Sequence, residues 1–112
     1  MHEFSIVRNI LAIAENEVTK AEAHKVEQIA LDIGKLSGIE IDAIEFIWEA
    51  AVQESVLAQA MRIINPVPGK GFCEECNKVC AVDHLYDLCP ECDGYLDIIE
   101  GKELIIRSLT LT

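Results

Sequence analysis

The chain has 112 residues, which is enough for one hydrophobic core and a small second module but not for two full-sized domains. Since 51% of the residues are hydrophobic and 26% are charged, we expect the chain to fold rather than remain disordered. Its 20 acidic and 9 basic side chains give a formal charge of −11, which argues against nucleic acid as a partner.

The chain also lacks sequence features of membrane insertion or export. No stretch approaches the roughly 18 apolar residues of a membrane span, and the first residues lack the basic and apolar regions of a signal peptide. We therefore expect a cytoplasmic protein that does not bind membranes. In that reducing compartment cysteines serve more often as metal ligands than in disulfides, and the odd count of five favours the same interpretation.

The first half of the chain begins with a predicted helix and strand. Apolar residues recur every three or four positions over residues 4–23, as on one face of a helix. Apolar and other residues then alternate over residues 29–33, which predicts a strand that Gly34 ends.

A second helix and strand are predicted next. Asp42 and Glu45 have the spacing of a helix N-cap and its reciprocal partner, so the helix should begin at Asp42. Residues 60–64 predict a strand that Pro66 and Pro68 stop. The expected buried stripe of this second helix consists of Ile44, Ile47, Trp48, Ala51 and Val52.

The second half begins with a predicted hinge. Gly69 and Gly71 should mark the passage into a different module, which is rich in cysteine. Two further strands are predicted over residues 95–99 and 103–111, joined around residues 100–102. We expect the last strand to rejoin the first sheet.

Four cysteines form two C-x-x-C pairs, Cys73 with Cys76 and Cys89 with Cys92, separated by twelve residues. Two such knuckles place four thiolates at the corners of a tetrahedron, which suits zinc because a d¹⁰ ion accepts tetrahedral sulfur ligands without redox chemistry. Four protein ligands leave no position for water, so a structural zinc site is predicted rather than a catalytic one. A rubredoxin-like iron centre uses similar knuckles and remains an alternative.

Two further candidate ligands lie between the pairs. Cys80 is surplus to the tetrad and could replace a ligand, act as a redox thiol or simply pack, which is the commonest fate of such a residue. His84 could be an ordinary loop residue or a ligand that meets a metal outside the zinc site, and its position favours the loop.

The first three residues, Met1, His2 and Glu3, offer an α-amine, an imidazole, a carboxylate and amide nitrogens. If the amide of His2 deprotonates, the amine, that amide and imidazole Nδ1 close two adjacent chelate rings in one plane. Glu3 or an external side chain such as His84 could supply the fourth ligand, and planar nitrogen-rich coordination selects Ni(II) or Cu(II). Alone, the tripeptide is a weak signal because terminal residues are often frayed.

Four segments together resemble the hydrogenase nickel-incorporation family of the HypA/HybF type. They are the opening Met-His-Glu, residues 33–40 (Ile-Gly-Lys-Leu-Ser-Gly-Ile-Glu), the paired knuckles, and residues 101–104 (Gly-Lys-Glu-Leu), so the resemblance covers nearly the whole chain. It implies that His2 and Glu3 belong to a nickel site, to which chelate chemistry adds the amine of Met1. It also implies that zinc is held by Cys73, Cys76, Cys89 and Cys92.

The resemblance implies an α+β fold, with a small mixed three-stranded sheet, two helices, and a four-cysteine zinc-knuckle domain inserted before the last strand. We accordingly expect a nickel-binding domain over residues 1–68, completed by residues 100–112, and a zinc-binding domain over residues 69–99. Two positions depart from the family pattern. Asn77 stands where many members have glycine, and Cys80 lies outside the usual tetrad.

The implied function is that of a nickel metallochaperone without enzymatic activity, with Ni(II) as transient cargo and Zn(II) as a structural ion. The implied partners are a GTP-hydrolysing nickel-maturation protein, the large subunit of nickel-iron hydrogenase and, for some members, urease maturation proteins. The sequence also leaves open that the chain forms a homodimer. The knuckles alone leave two alternatives. A zinc-ribbon interaction module is opposed by the surrounding carboxylates, and a rubredoxin-like electron carrier, with iron held by the four cysteines, would be coloured.

Overall fold

The structure is a computed structural model that describes residues 2–112, with the side chain of His2 excepted. It contains two helices and six strands. In chain order these are α1 (His2–Lys20), β1 (Val26–Gly34), α2 (Ile41–Val52), β2 (Met61–Val67), β3 (Gly69–Cys73), β4 (Lys78–Val82), β5 (Asp97–Glu100) and β6 (Leu104–Leu111).

The strands form two sheets of three, with strand orders β2-β1-β6 and β4-β3-β5. The predicted α+β fold class is confirmed, and the last strand rejoins the first sheet as expected. The second sheet was not predicted. The two strands expected around residues 100–102 both form, but β5 pairs with β3 whereas β6 belongs to the first sheet.

The helices bury the apolar faces that their periodicity predicts. In α1 the buried positions are spaced by three or four residues, and in α2 they include the tryptophan. Burying one large apolar side chain stabilises a fold by about 2 kcal/mol, so these faces are a main source of stability. The buried helical residues are Val7, Ile10, Ala14, Val18, Ile44, Trp48 and Val52, whereas Ile47 and Ala51 of the predicted stripe are only half-buried.

The predicted reciprocal cap of α2 is wrong. The helix begins at Ile41 with Glu40 as its N-cap and no side-chain cap hydrogen bond, so Asp42 lies inside the first turn. There its charge is favourable beside the positive end of the helix dipole. The carboxylate of Glu45 accepts two hydrogen bonds from Arg62, at 3.0 and 3.2 Å, instead of reaching back to the helix start.

Proline and glycine also behave differently from the prediction. Strand β2 runs through Pro66 and ends at Val67. This is possible because β2 is an edge strand, where proline need not donate to a neighbour. Gly69 and Gly71 do not form a hinge but lie in β3, where a Cβ on Gly71 would come within 2.9 Å of the Val82 side chain.

Two segments that carry the family resemblance contact each other. The backbone N–H of Gly34 donates to the carbonyl of Glu103, and that of Leu36 donates to the carbonyl of Gly101, both at 2.7 Å. Gly101 adopts a φ of 110°. A Cβ on Gly34 would overlap the Gly101 carbonyl group, so glycine is required at position 34 for this close approach.

Contacts divide the chain into two compact units. One comprises residues Met1–Leu31, Glu40–Ile64 and Ile106–Thr112, and the other comprises Asp32–Ile39 and Asn65–Ile105. The sequence predicts a different division, into one domain of residues 1–68 with 100–112 and another of residues 69–99. That division concerns which parts fold independently, and it remains a prediction. Neither helix of the described chain has the length and apolarity that crossing a membrane requires.

Candidate metal centre

The first cysteine pair lies in the turn between β3 and β4. Cys73 is the last residue of β3 and pairs with Lys78, the first residue of β4. Within this turn the backbone N–H of Cys76 donates to the Cys73 sulfur at 3.4 Å, and Asn77 adopts a left-handed backbone with φ of 54°. The turn therefore directs both sulfur atoms to one side.

The second cysteine pair has no flanking strands but shares one feature with the first, a left-handed residue directly after it. Asp93, directly after the pair, is left-handed with φ of 59°. Its N–H donates to the carbonyl of Cys89 at 2.8 Å, and the N–H of Gly94 donates to the Cys92 sulfur at 3.4 Å. In both knuckles a left-handed residue after the second cysteine reverses the chain.

The structure brings all four cysteine sulfurs together, within 4.8 Å of one another. The Sγ atoms of Cys73 and Cys92 are 3.6 Å apart, and those of Cys76 and Cys89 are 3.9 Å apart. A regular tetrahedron with zinc–sulfur bonds of about 2.3 Å has edges of about 3.8 Å, so the donor set fits a zinc ion. Cys73 and Cys89 are buried, Cys76 is half-buried and Cys92 is exposed.

The proximity of the sulfurs opposes their joint ionisation. Hydrogen bonding to the Cys92 side chain, followed by burial, raises the pKa of Cys76 to about 12. Backbone N–H groups of Glu91 and Cys92 lower the pKa of Cys89 to about 7. Four thiolates at this separation need a cation among them, which is the condition that a bound dication meets.

An exposed ion pair links the first residue of β4 to the second knuckle. Lys78 Nζ lies 3.1 Å from a carboxylate oxygen of Glu91, and this carboxylate raises the pKa of the lysine. Neither this pair nor the two left-handed residues were predicted from the sequence. The signal for the latter was present, because Asn77 and Asp93 each directly follow a C-x-x-C pair and are residue types that tolerate positive φ.

Cys80 lies beside the centre without joining it. It is half-buried on β4 opposite Gly71, and it lines a cavity of about 180 Å³ together with Cys73 and Cys89. Burial, followed by the neighbouring sulfurs, raises its pKa. These features agree with a packing residue.

His84 lies on an exposed loop, and its side chain is 84% exposed. Its Nδ1 is 3.6 Å from an oxygen of Asp87, whose other oxygen accepts hydrogen bonds from the backbone N–H groups of Asp83 and His84. Among the described side chains, those of residues 3–112, the four cysteines form the only group of three or more potential ligands close enough to share an ion.

The predicted nickel ligands fall at the start of α1. Met1 lies outside the described residues, and His2 is the first residue of the helix, with its side chain outside the description. Glu3 is half-buried in the first turn. The planar chelate involving these residues remains a prediction.

The chain is similar to known nickel metallochaperones over its whole length. The family model described as hydrogenase/urease nickel incorporation, metallochaperone, hypA matches residues 1–111. The hydrogenase maturation factor HypA of Parabacteroides distasonis is 38% identical over 112 residues, covering 99% of this chain and 97% of that protein. The protein of the same name from Prosthecochloris aestuarii is 39% identical, covering 99% of both chains.

Solved structures agree with the sequence comparison. The solution structure of the Ni metallochaperone HypA from Helicobacter pylori superposes with a TM-score of 0.69 and 28% identity, covering 97% of this chain and 96% of that one. A second solution structure, of a HypA protein, superposes with a TM-score of 0.72 and 29% identity, covering 100% and 97%.

Proposed function

Because the chain belongs to the HypA family of hydrogenase and urease nickel-incorporation metallochaperones, we propose that it binds Ni(II) at its N-terminus and delivers it during the maturation of nickel-iron hydrogenase. The proposed nickel ligands are Met1, His2 and Glu3. The observation that carries the proposal is the match over residues 1–111, which includes the tripeptide and both knuckles.

The position of His2 and Glu3 in the first turn of α1 supports this chelate. The first N–H groups of an α-helix have no intrahelical acceptor, so the amides of His2 and Glu3 are not needed by the helix. The positive end of the helix dipole stabilises a deprotonated amide. The amine, the anionic amide and the imidazole then bind the Ni(II) cargo in one plane, a geometry that zinc does not prefer.

For the sulfur centre we propose a structural Zn(II) held by Cys73, Cys76, Cys89 and Cys92. The sulfur spacing supports zinc, since it matches a tetrahedron of zinc–sulfur bonds. When bound, the ion cross-links the two knuckles, and with four protein ligands it leaves no position for a reacting water. We therefore propose a carrier without enzymatic turnover.

The proposed partners are those of nickel delivery, namely a GTP-hydrolysing maturation protein and the hydrogenase large subunit, with urease maturation proteins as further recipients. A compartment that keeps thiols reduced is required for the sulfur centre, which supports a cytoplasmic location. The family match does not favour the zinc-ribbon or iron electron-carrier alternatives.

Nickel titration of the untagged, zinc-loaded chain tests the proposal. His2→Ala removes the imidazole, and residues added before Met1 remove the α-amine without changing any side chain. We expect each change to weaken nickel binding at least about a hundredfold, with zinc content and helical signal unchanged. Both ligands must lose protons, so acid should release the nickel.

His24→Ala is the matched control, because it removes an exposed imidazole far along the sequence. It should leave nickel affinity unchanged. Retention of nickel by both N-terminal variants, or appearance of sulfur-to-nickel charge-transfer bands, would place the cargo elsewhere.

A further inference from the structure

The second sheet has two unlike faces. Directly opposed residues in antiparallel strands point to the same face, and the face alternates along each strand. Gly71 opposes both Cys80 and Ile98, and this row shares its face with the buried residues Cys73 and Val82. This face is therefore the packed one.

The other face, which we call the open face, carries two rows of three side chains. Phe72 on the central strand opposes Val79 and Asp97, and Lys70 opposes Ala81 and Glu100. The alternation in β5 is interrupted by a register shift between Gly71 and Lys70, so Glu100 rather than Ile99 opposes Lys70. Val79 is 55% exposed and Phe72 is half-buried. The remaining four residues of the open face, Lys70, Ala81, Asp97 and Glu100, are exposed. One row of the open face thus presents two adjacent large apolar side chains, Phe72 and Val79, that are at least partly in contact with solvent.

The segment that carries the open face is strongly negative, and the open face itself, with Lys70, Asp97 and Glu100, has a net charge of −1. Residues 69–100 contain eight carboxylates and two lysines, a net charge of −6. Both lysines have carboxylate partners, since Lys70 Nζ lies 3.5 Å from Glu100 and Lys78 Nζ lies 3.1 Å from Glu91. Four thiolates around a dication would add two further negative charges. Such a surface repels phosphates and favours cationic partners.

We propose that the open face docks a basic amphipathic segment of a partner protein. Apolar side chains of that segment cover Phe72 and Val79, while a lysine or arginine pairs with Asp97. A second copy of this chain is the wrong occupant, because its formal charge of −11 would meet like charge. The N-terminal nickel ligands take no part, so the test below is independent of the proposed nickel site.

A titration followed by NMR tests this docking surface. The full, zinc-loaded chain is titrated with a short synthetic helical peptide that carries leucine on one face and lysine on the other. We expect the largest amide shifts in β3, β4 and β5. Asp97→Asn should weaken binding about two- to fivefold, as expected for one exposed ion pair. Val79→Thr, which keeps the β-branched shape but adds a hydroxyl, should weaken it by a similar factor.

Glu27→Gln is the matched control, because it removes one charge from an exposed residue of another strand, β1. It should leave the affinity unchanged, and a lysine peptide without leucine should bind weakly. Equal weakening by Glu27→Gln and Asp97→Asn, shifts spread over the whole acidic surface, or no effect of Val79→Thr would reduce the interaction to general charge attraction and overturn the proposal.

Discussion

Single residues after the cysteine pairs decide the shape of the knuckles. Asn77 occupies a left-handed conformation that glycine adopts without cost, so an asparagine can stand where the resemblance leads us to expect glycine. Asp93 has the same conformation in the second knuckle. The departure from the family pattern at position 77 therefore preserves the turn.

Substitution of Asn77 tests this interpretation. Asn77→Gly should retain or slightly improve zinc affinity, whereas Asn77→Val should lower it by about 1–2 kcal/mol, or roughly five- to thirtyfold, because a β-branched residue resists positive φ. Competition with a chromophoric chelator measures the affinity. Glu74→Val in the same turn is the control, since Glu74 is not among the left-handed residues of the described chain. Equal loss in both valine variants would contradict the conformational explanation.

The carboxylate of Asp87 organises the loop that carries His84. Hydrogen bonds from the N–H groups of Asp83 and His84 lower the pKa of Asp87. A carboxylate whose pKa is lower in the folded state stabilises the fold at pH values above its unfolded pKa of about 4. This stabilisation is lost as the pH falls through the lower, folded-state pKa.

Asp87→Asn should therefore loosen the loop at neutral pH. We expect amide hydrogen exchange at Asp83 and His84 to accelerate several-fold in the variant, since a neutral amide is a weaker acceptor than a carboxylate. The difference should shrink as the pH falls below the ordinary carboxyl pKa of about 4 and through the lower pKa of the folded state, where the wild-type carboxyl also becomes protonated. A difference that is constant with pH would rule out the charge as its cause.

At the scale of elements, the sequence pattern predicted the features that depend on neighbouring residues along the chain. It missed the features that depend on contacts with distant residues. The buried face of α1 was predictable because an apolar residue recurs at each helical turn. The cap of α2 was not, since Glu45 is engaged by Arg62, which is seventeen residues away. The termination at Pro66 failed for a similar reason, because only the strand order reveals that β2 is at an edge.

The close approach of Gly34 to Gly101 provides a sharp test of element packing. In Gly34→Ala the new Cβ would overlap the Gly101 carbonyl group and lie 2.7 Å from the backbone nitrogen of Lys102. We expect a loss of at least about 2 kcal/mol in the free energy of unfolding, measured by urea denaturation.

Gly38→Ala is the matched control for this loss. Gly38 has a φ of 81°, but a Cβ added there would meet no atom within 4 Å, so only backbone strain of about 1 kcal/mol applies. A smaller effect at Gly34 than at Gly38 would show that the two segments separate easily.

At the scale of the whole molecule, the two parts of the chain differ in what stabilises them. The helices and β1 contribute most of the buried apolar side chains, whereas within residues 69–100 the buried hydrophobic residues are Cys73, Val82 and Cys89. The clustering of the cysteines was predictable, because their spacing alone fixes two knuckles. The ion pair of Lys78 with Glu91 was not, since it requires the knuckles to be assembled first.

Removal of zinc should consequently unfold the segment 69–100 and leave the two helices folded. With a single buried aliphatic side chain, the segment 69–100 has too little apolar burial to offset its conformational entropy without the metal. We expect a strong chelator, or Cys73→Ser, to abolish amide protection in β3 and β4 and to open cleavage sites there. The far-ultraviolet helical signal of α1 and α2 should persist, because their faces are buried by apolar contacts rather than by thiolates.

Cys80→Ser is the control, since this sulfur lies outside the cluster and its loss should leave zinc content and protection unchanged. A metal-free chain that keeps β3 and β4 protected would show that the second sheet is stable without zinc, and the ion would then need another role.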